Sequence, residues 1–286
     1  MSALLLNGGG VARRVRAEVA RDVAALPAAP GLATLLVGDD PASAIHVRNK
    51  RRQCVEVGIR DLHRHLPADV SQAELERVVD GLAADPDVTG ILVQLPLPAH
   101  LAATPVLARI PAVKDVDGLT EASAGRLALG LPGLRPCTPS GILVLLDDAK
   151  VGLRGAEAVV VGRSELVGRP MAQLLVQRDA TVTVCHSRTR DLAAVCRRAD
   201  VLVVAAGVPR LIGQDAVARG ATVIDVGIHR TPRGPCGDVD TAAVAEVAGI
   251  ITPVPGGVGP MTIAMLLRNT ATAARLAAGT PLDPVP

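Results

Sequence analysis

The hydrophobic pattern changes period several times along the chain. Val11–Leu26 sets apolar positions at helical spacing among charged ones, which predicts an amphipathic helix. Leu32–Val37 is a short unbroken apolar run closed by Gly38-Asp39-Asp40-Pro41, a strand followed by a turn. Ala42–Gly58 reads as a helix with Ser43 as its N-cap and Gly58 as its stop. Ser71–Leu82 opens on Ser71-Gln72-Ala73-Glu74, a capping box. Gly90–Gln94 is a second apolar strand, ended by Leu95-Pro96-Leu97-Pro98. Lys114–Pro139 is rich in Gly and Pro and reads as a loop-rich domain junction, after which Gly141–Asp148 is helical.

A βα rhythm follows. Ala158–Val161, Thr181–Cys185, Val201–Ala205 and Thr222–Val226 read as strands, with helices over Gly168–Arg178 and Asp191–Arg198. Strands that are apolar throughout and separated by helices predict a parallel sheet covered on both faces. Met261–Ala278 is a final apolar helix, and the Pro-rich tail Thr280–Pro286 reads as a frayed end. The expected class is α/β with two domains. The first covers residues 1–120 and is completed by the last helix, 263–280; the second is a Rossmann-like doubly wound parallel sheet over 121–262.

Composition narrows the picture. Over 286 residues the formal net charge is +2, with 49% hydrophobic and 20% charged residues. That excludes wholesale disorder and gives no electrostatic pull toward nucleic acid or an anionic membrane. Phe, Tyr and Trp are all absent, where ordinary usage gives roughly 20 or more. Such a composition predicts an engineered or alphabet-reduced sequence, with a core of Leu, Val, Ile and Ala that packs more loosely. The five cysteines have no metal-ligand spacing and an odd count, which reads as reduced thiols of a cytoplasmic protein. Leu4-Leu5-Leu6 lacks a preceding basic region, so it does not read as a signal peptide. No stretch approaches about 18 uninterrupted apolar residues, so no membrane span is expected. No metal site is expected either.

Ala158–Pro170 has the pattern strand, glycine turn, helix start. Gly162 ends the strand, Gly168 allows close backbone approach, and Pro170 suits the first helical turn. A helix N-terminus placed there can receive a phosphate. The middle glycine of G-x-G-x-x-G is missing, with Ser164 near its place, so a plain β-turn-α corner stays open. The second strand ends at Cys185-His186-Ser187-Arg188-Thr189. An NAD-preferring site carries Asp or Glu about 20 residues on. Ser187 and Arg188 stand there instead and suit the 2′-phosphate of NADP, with Arg163 a second phosphate contact. Solvated surface arginines are the alternative.

His46 and Lys50 are four apart and share a helix face. Only Lys50, Lys114 and Lys150 are lysines among 30 basic residues, and where Arg is the default cation a Lys can serve proton transfer that Arg cannot. Four strings complete the set. They are Pro41-Ala42-Ser43-Ala44-Ile45-His46-Val47-Arg48-Asn49-Lys50, Gly90-Ile91-Leu92-Val93-Gln94-Leu95-Pro96-Leu97-Pro98, Lys114-Asp115-Val116-Asp117-Gly118, and Thr252-Pro253-Val254-Pro255-Gly256-Gly257-Val258-Gly259-Pro260-Met261-Thr262. With the Gly162 turn, they make the chain resemble the bifunctional methylenetetrahydrofolate dehydrogenase/methenyltetrahydrofolate cyclohydrolase family over roughly residues 3–278.

The resemblance implies that the first domain binds folate and the second NADP. It places the catalytic lysine at Lys50, a hydrogen-bonding partner for it at Gln94, and the pterin anchor at Asp117. It lets backbone at Pro255, Gly256 and Gly257 approach the folate, and adds Ile228 to the cofactor set of Gly162, Arg163, Ser164, Ser187 and Arg188. The implied chemistry is NADP-dependent oxidation of 5,10-methylenetetrahydrofolate to the 5,10-methenyl form and hydrolysis of that to 10-formyltetrahydrofolate. One-carbon metabolism, purine biosynthesis and a homodimer come with it, and neither nucleic acid nor membrane is a partner. Three positions depart from the family pattern. His46 stands at the motif Tyr, His229 at the usual Asn, and Leu119 where many members carry Phe. His46 therefore leaves open a folded NADP-binding scaffold with impaired or lost catalysis. An NADP-sensing module unrelated to folate is a more remote reading.

Overall fold

The computed structural model describes residues 3–232 and 234–280, with Ala42 described in its backbone only. The tail expected to fray lies, beyond Thr280, outside the described residues. In chain order the strands are β1 (Leu4–Leu5), β2 (Gly31–Val37), β3 (Arg60–Asp61), β4 (Arg64–Leu66), β5 (Gly90–Val93), β6 (Glu157–Val161), β7 (Thr181–Cys185), β8 (Val201–Val204), β9 (Thr222–Asp225), β10 (His229–Thr231), β11 (Gly234–Cys236) and β12 (Ile250–Ile251). The helices are α1 (Gly8–Ala24), α2 (Pro41–Glu56), α3 (Gln72–Ala84), α4 (Ala103–Leu107), α5 (Glu121–Ala128), α6 (Cys137–Asp148), α7 (Gly168–Val176), α8 (Leu192–Cys196), α9 (Thr241–Val244) and α10 (Val258–Ala277). Among the described residues, no helix is long and apolar enough to cross a membrane.

Two compact units emerge. One holds Arg14–Cys137 and the described residues from Ile263 on. Its sheet is parallel and centred on β2, with β5 on one side and β3, then β4, on the other. Every residue of β2 and β5 is buried. Ala33, Leu35, Val37, Ile91 and Val93 pack with Leu75, Val79 and Leu82 of α3, whose spacing makes one helical stripe. Ser71 caps α3 as the sequence predicts, its side chain accepting from Glu74 N.

Four local differences from the sequence reading have physical causes. The N-cap of α2 is Asp40, not Ser43; Asp40 Oδ2 accepts from Ser43 N at 2.7 Å. Pro41 fits the first helical position because it has no N–H to leave unpaired, and this moves the helix start upstream. α1 likewise starts at Gly8, where Asn7 Oδ1 accepts from Gly9 N at 2.9 Å. β3 and β4 were not expected, since Arg60–Leu66 has no apolar run; backbone pairing to β2 builds these edge strands, and polar contacts such as Arg51 to Asp61 and His65 to Gly38 O reinforce them. Within the supposed loop Lys114–Pro139 lies α5, capped by Thr120. The buried Asp115 carboxylate accepts from Leu119 N, Thr120 N and Ser123 Oγ and so organises its first turn.

The other unit holds Thr138–Thr262 and the described residues up to Arg13. Its six strands run in the order β1-β12-β9-β8-β6-β7, and every pair is parallel. Val159, Val161, Leu202, Val204, Val223 and Ile251 share one core cluster. The alternate residues Val160, Val203 and Ile224 are also buried, so both faces are covered over the central strands β6, β8 and β9; the edge strands β7, expected to be covered likewise, and β1 are largely exposed. The edge strand β1 is new: its exposed leucines had read only as an apolar run. The chain steps from β6 to β7 on one side, then returns past β6 to β8 and β9 on the other. This reversal is the topological switch point of a doubly wound sheet.

At the carboxyl end of β9 the buried Asp225 carboxylate accepts from Asp238 N, Gly227 N and Val239 N at 2.9–3.1 Å. Burial pushes this carboxyl up to about 6 even though those N–H groups pull it down. The folded state therefore holds a proton that the unfolded chain gives up at ordinary carboxylate pH. Stability from this group is present in acid and lost as pH rises toward about 6. Relative to Asp225→Asn, the parent should lose about 3 kcal/mol between about pH 4 and about pH 7. Urea unfolding of both proteins across that range measures the difference; a pH-independent gap would refute it.

Candidate functional site

In the first unit the helix α2 follows β2, and Gln94 follows β5. β2 and β5 are parallel neighbours in the register Leu35↔Val93, so both segments leave the same edge of the sheet. Gln94 N donates to Leu35 O at 2.9 Å and extends the ladder by one residue. On α2, Val47 is buried and anchors the helix, while Lys50 is half-buried. Lys50 Nζ donates to Gln94 Oε1 at 2.9 Å. The Gln94 amide donates in turn to Leu95 O at 2.6 Å, which fixes its oxygen toward the lysine.

Asp117 joins this pair. Burial raises its carboxyl above the usual carboxylate range; the facing Lys50 charge and a bond from the Cys137 thiol draw it back, and Asp115 pushes it up. Lys50, Gln94 and Asp117 are thus brought together. His46 lies on α2 four residues earlier at an exposed position, and none of these contacts involves it.

The shell around Asp117 holds residues that the sequence reading did not single out. Cys137 is buried, and burial followed by the Asp117 charge pushes its thiol well above the usual range. Its Sγ is 3.3 Å from Val116 O. Asn269 Nδ2 donates to Val116 O and to Arg135 O, both at 2.8 Å. An amide among the mostly apolar residues of the final helix was the available signal for Asn269. Cys137 had been read only for compartment.

The scarcity of lysine now has a partial account. Lys114 Nζ donates to Ala83 O and Asp85 O at 2.8 and 2.7 Å, covering carbonyls at the end of α3. Lys150 sits with φ of 55° just after α6. Of the three, Lys50 is the one beside a half-buried carboxyl and a fixed amide.

In the second unit the predicted cofactor residues collect at the carboxyl edge of the sheet. Gly162 has φ of 128°, and a Cβ there would lie 2.1 Å from Ala205 O. A Cβ at Gly168 would lie 2.2 Å from Gly162 O. Both positions exclude a side chain, which is the close approach expected of the turn. Arg163 and Ser164 are exposed. Ser164 Oγ accepts from Val167 N and Gly168 N at 3.2 and 3.3 Å, so these amides at the start of α7 already have an acceptor. Gly162 N donates to Cys185 O and ties the turn to β7.

After β7, Thr189 N donates to His186 O and His186 N to Thr189 Oγ1, closing a tight turn. Ser187 and Arg188 project from it exposed, and the turn has no acidic residue. A glycine cradle, a helix start and exposed hydroxyl and guanidinium groups fit a phosphorylated dinucleotide. Ile228 is 54% exposed. Pro255–Gly257 follows β12 in this unit. Gly256 has φ of 103°, and its carbonyl accepts from Gly8 N at 2.9 Å. Among the described residues, no three His, Cys, Asp or Glu side chains are grouped to hold a metal.

Comparison with known proteins agrees with this geometry. Residues 6–117 match the catalytic domain, and residues 136–278 the NAD(P)-binding domain, of tetrahydrofolate dehydrogenase/cyclohydrolase. The bifunctional protein FolD 2 of Frankia alni is 69% identical over 97% of this chain and 98% of its own. The bifunctional protein FolD of Bordetella bronchiseptica is 54% identical over 97% of this chain and all of its own. Among solved structures, the bifunctional FolD of Campylobacter jejuni aligns with a TM-score of 0.94 at 44% identity, covering 96% of this chain and 100% of that one. The Trypanosoma brucei enzyme, solved with NADP cofactor and an inhibitor, aligns with a TM-score of 0.93 at 38% identity, covering 97% and 99%. Both domains are matched in order along nearly the whole chain, and the protein belongs to the tetrahydrofolate dehydrogenase/cyclohydrolase family.

Proposed function

We propose that this protein oxidises 5,10-methylenetetrahydrofolate to 5,10-methenyltetrahydrofolate with NADP and hydrolyses the product to 10-formyltetrahydrofolate. The observation that carries the reading is the 2.9 Å bond from Lys50 Nζ to Gln94 Oε1, beside the half-buried Asp117. Homologous bifunctional enzymes support it, as does the relative solved with NADP. The same reading makes the protein a cytoplasmic homodimer whose formylated product feeds purine biosynthesis.

When bound, NADP⁺ supplies the hydride acceptor. The chain supplies alignment and proton management. Asp117, ionised, accepts paired N–H bonds from the pterin ring and fixes it. Pro255, Gly256 and Gly257 would offer backbone to the folate, the two glycines leaving it free of side chains. Gly162, Arg163 and Ser164 would hold the pyrophosphate, Ser187 and Arg188 the 2′-phosphate, and Ile228 would offer apolar surface to the cofactor. In the hydrolytic step water adds to the methenyl carbon and loses a proton. Lys50 acts in its neutral amine form: Nζ takes that proton and returns it to the ring nitrogen as the carbon–nitrogen bond opens, while the hydroxyl gives its proton to solvent and becomes the formyl carbonyl. Gln94 holds Nζ in place throughout. His46 fills the position of the motif Tyr with a smaller ring.

Mixing the protein with NADP⁺ and methylenetetrahydrofolate should produce reduced nicotinamide, read by its absorbance; binding without turnover would sink the reading. Lys50→Met should abolish cyclohydrolase activity while leaving part of the dehydrogenase activity, whereas equal loss of both would remove Lys50 from its proton-transfer role. Because burial raises Asp117, kcat/KM for the folate should rise with pH along a limb displaced above the ordinary carboxylate range. Asp117→Asn should raise the folate KM on the order of a hundredfold and erase that limb. Arg188→Ala should raise the KM for NADP roughly tenfold or more with little change for NAD, since it removes a charge-assisted bond to the 2′-phosphate only. A similar loss for both cofactors would count against it.

A further inference from the structure

A second polar cluster lies at the carboxyl edge of the six-stranded sheet, and the chemistry above leaves it unused. Asp238 is completely buried, and its two oxygens divide their work. Oδ2 accepts from Ala206 N at 2.7 Å and from Gly207 N at 2.9 Å, in the loop that follows β8. Oδ1 is 2.7 Å from His229 Nε2, at the start of β10. A carboxylate oxygen here accepts, so Nε2 carries the hydrogen. The backbone of Gly227 packs on the same carboxylate so closely that a Cβ there would lie 2.3 Å from Oδ1.

These contacts join three loops in one chain. Ala205 O lies against Gly162, where a Cβ would come within 2.1 Å, so the loop after β8 abuts the glycine turn after β6. Asp238 holds the next two residues of that loop through their amides. Through Gly227 and His229 it also clamps both neighbours of the exposed Ile228. Asp225 locks the far side, accepting from Gly227 N and Asp238 N. The segments flanking the switch point therefore depend on one buried carboxylate, and His229 is its side-chain donor. An unpartnered Oδ1 would be costly in this setting, because a buried polar atom stripped of its partner keeps the full desolvation penalty.

We propose that His229 and Asp238 are positioning residues for the dinucleotide: the imidazole holds the Asp238 carboxylate in the orientation that sets the Ala206–Gly207 and Gly227–Ile228 backbone for cofactor binding. The inference rests on the reading of this edge as the NADP site. His229 acts through Asp238 and sets cofactor affinity. It takes no part in hydride or proton transfer.

The test is fluorescence titration of NADPH into the full-length protein and two variants, with amide hydrogen exchange read at Ala206 and Gly207. His229→Leu removes the donor and should weaken NADPH at least tenfold, with faster exchange at both amides. His229→Gln can donate to Oδ1 and should bind within about threefold of the parent. Steady-state kinetics should show the loss in His229→Leu as a raised cofactor KM with an unmoved folate KM. Equal NADPH affinity in parent and His229→Leu would overturn the proposal, and so would a folded His229→Gln that binds tenfold worse. If His229→Leu does not fold, the His229→Gln result alone decides. Failure of the parent itself to bind NADPH would strike the functional reading instead, which keeps the two failures apart.

Discussion

Parallel strand pairing is the constraint on which the rest of the molecule depends. Parallel neighbours need a crossover and end at the same edge. In one unit this sends α2 out after β2 and Gln94 out after β5 from a single edge, which is how a lysine and a glutamine 44 residues apart come to share a hydrogen bond. In the other it gathers the loops after β6, β7, β8 and β9 along one rim. Of these, β6, β8 and β9 are buried on both faces and have little freedom to shift, while the edge strand β7 is largely exposed; the buried strand ends are fixed platforms for the loops that carry the chemistry.

Much of this was legible in the residues because local signals agreed with the global arrangement. The apolar runs of β2, β5, β6, β8 and β9 have no polar face to confuse the reading. Gly162 and Gly168 announced a turn that excludes Cβ atoms, and the structure shows what would collide. The illegible parts are those held by backbone or by distant partners. Arg60–Leu66 forms strands without an apolar pattern because its partner β2 supplies the ladder. Leu4–Leu5 became a strand only because β12, some 245 residues on, presents an open edge. The α5 helix was hidden by the glycines and prolines around it, and its cap depends on Asp115 folding back from outside the helix. The environment of Asp117 could not be read from its own loop, since Cys137 and Asn269 arrive from α6 and α10.

The core is assembled without a single Phe, Tyr or Trp. Its largest fully buried side chains are Leu, Ile and Met, among them Leu32, Leu35, Ile91, Leu146, Met171 and Leu202. Aliphatic chains bury less area each than aromatic rings, so cohesion must come from many small contacts and from continuity of the sheets. Buried polar groups then weigh more heavily in specifying the fold. Asp115, Asp225, Asp238 and Asn269 each tie two or more segments that apolar packing alone would leave in approximate register.

The serine at the head of α7 has a thermodynamic consequence. Its hydroxyl already occupies two amides of the helix start, so an incoming phosphate does not meet vacant donors. On the proposed placement of the cofactor, a charged oxygen would displace a neutral one from them, and the gain on docking would be the margin between the two acceptors. Such an internal acceptor holds the turn in shape by itself and, on the same placement, would lower affinity for a ligand that must leave after each cycle.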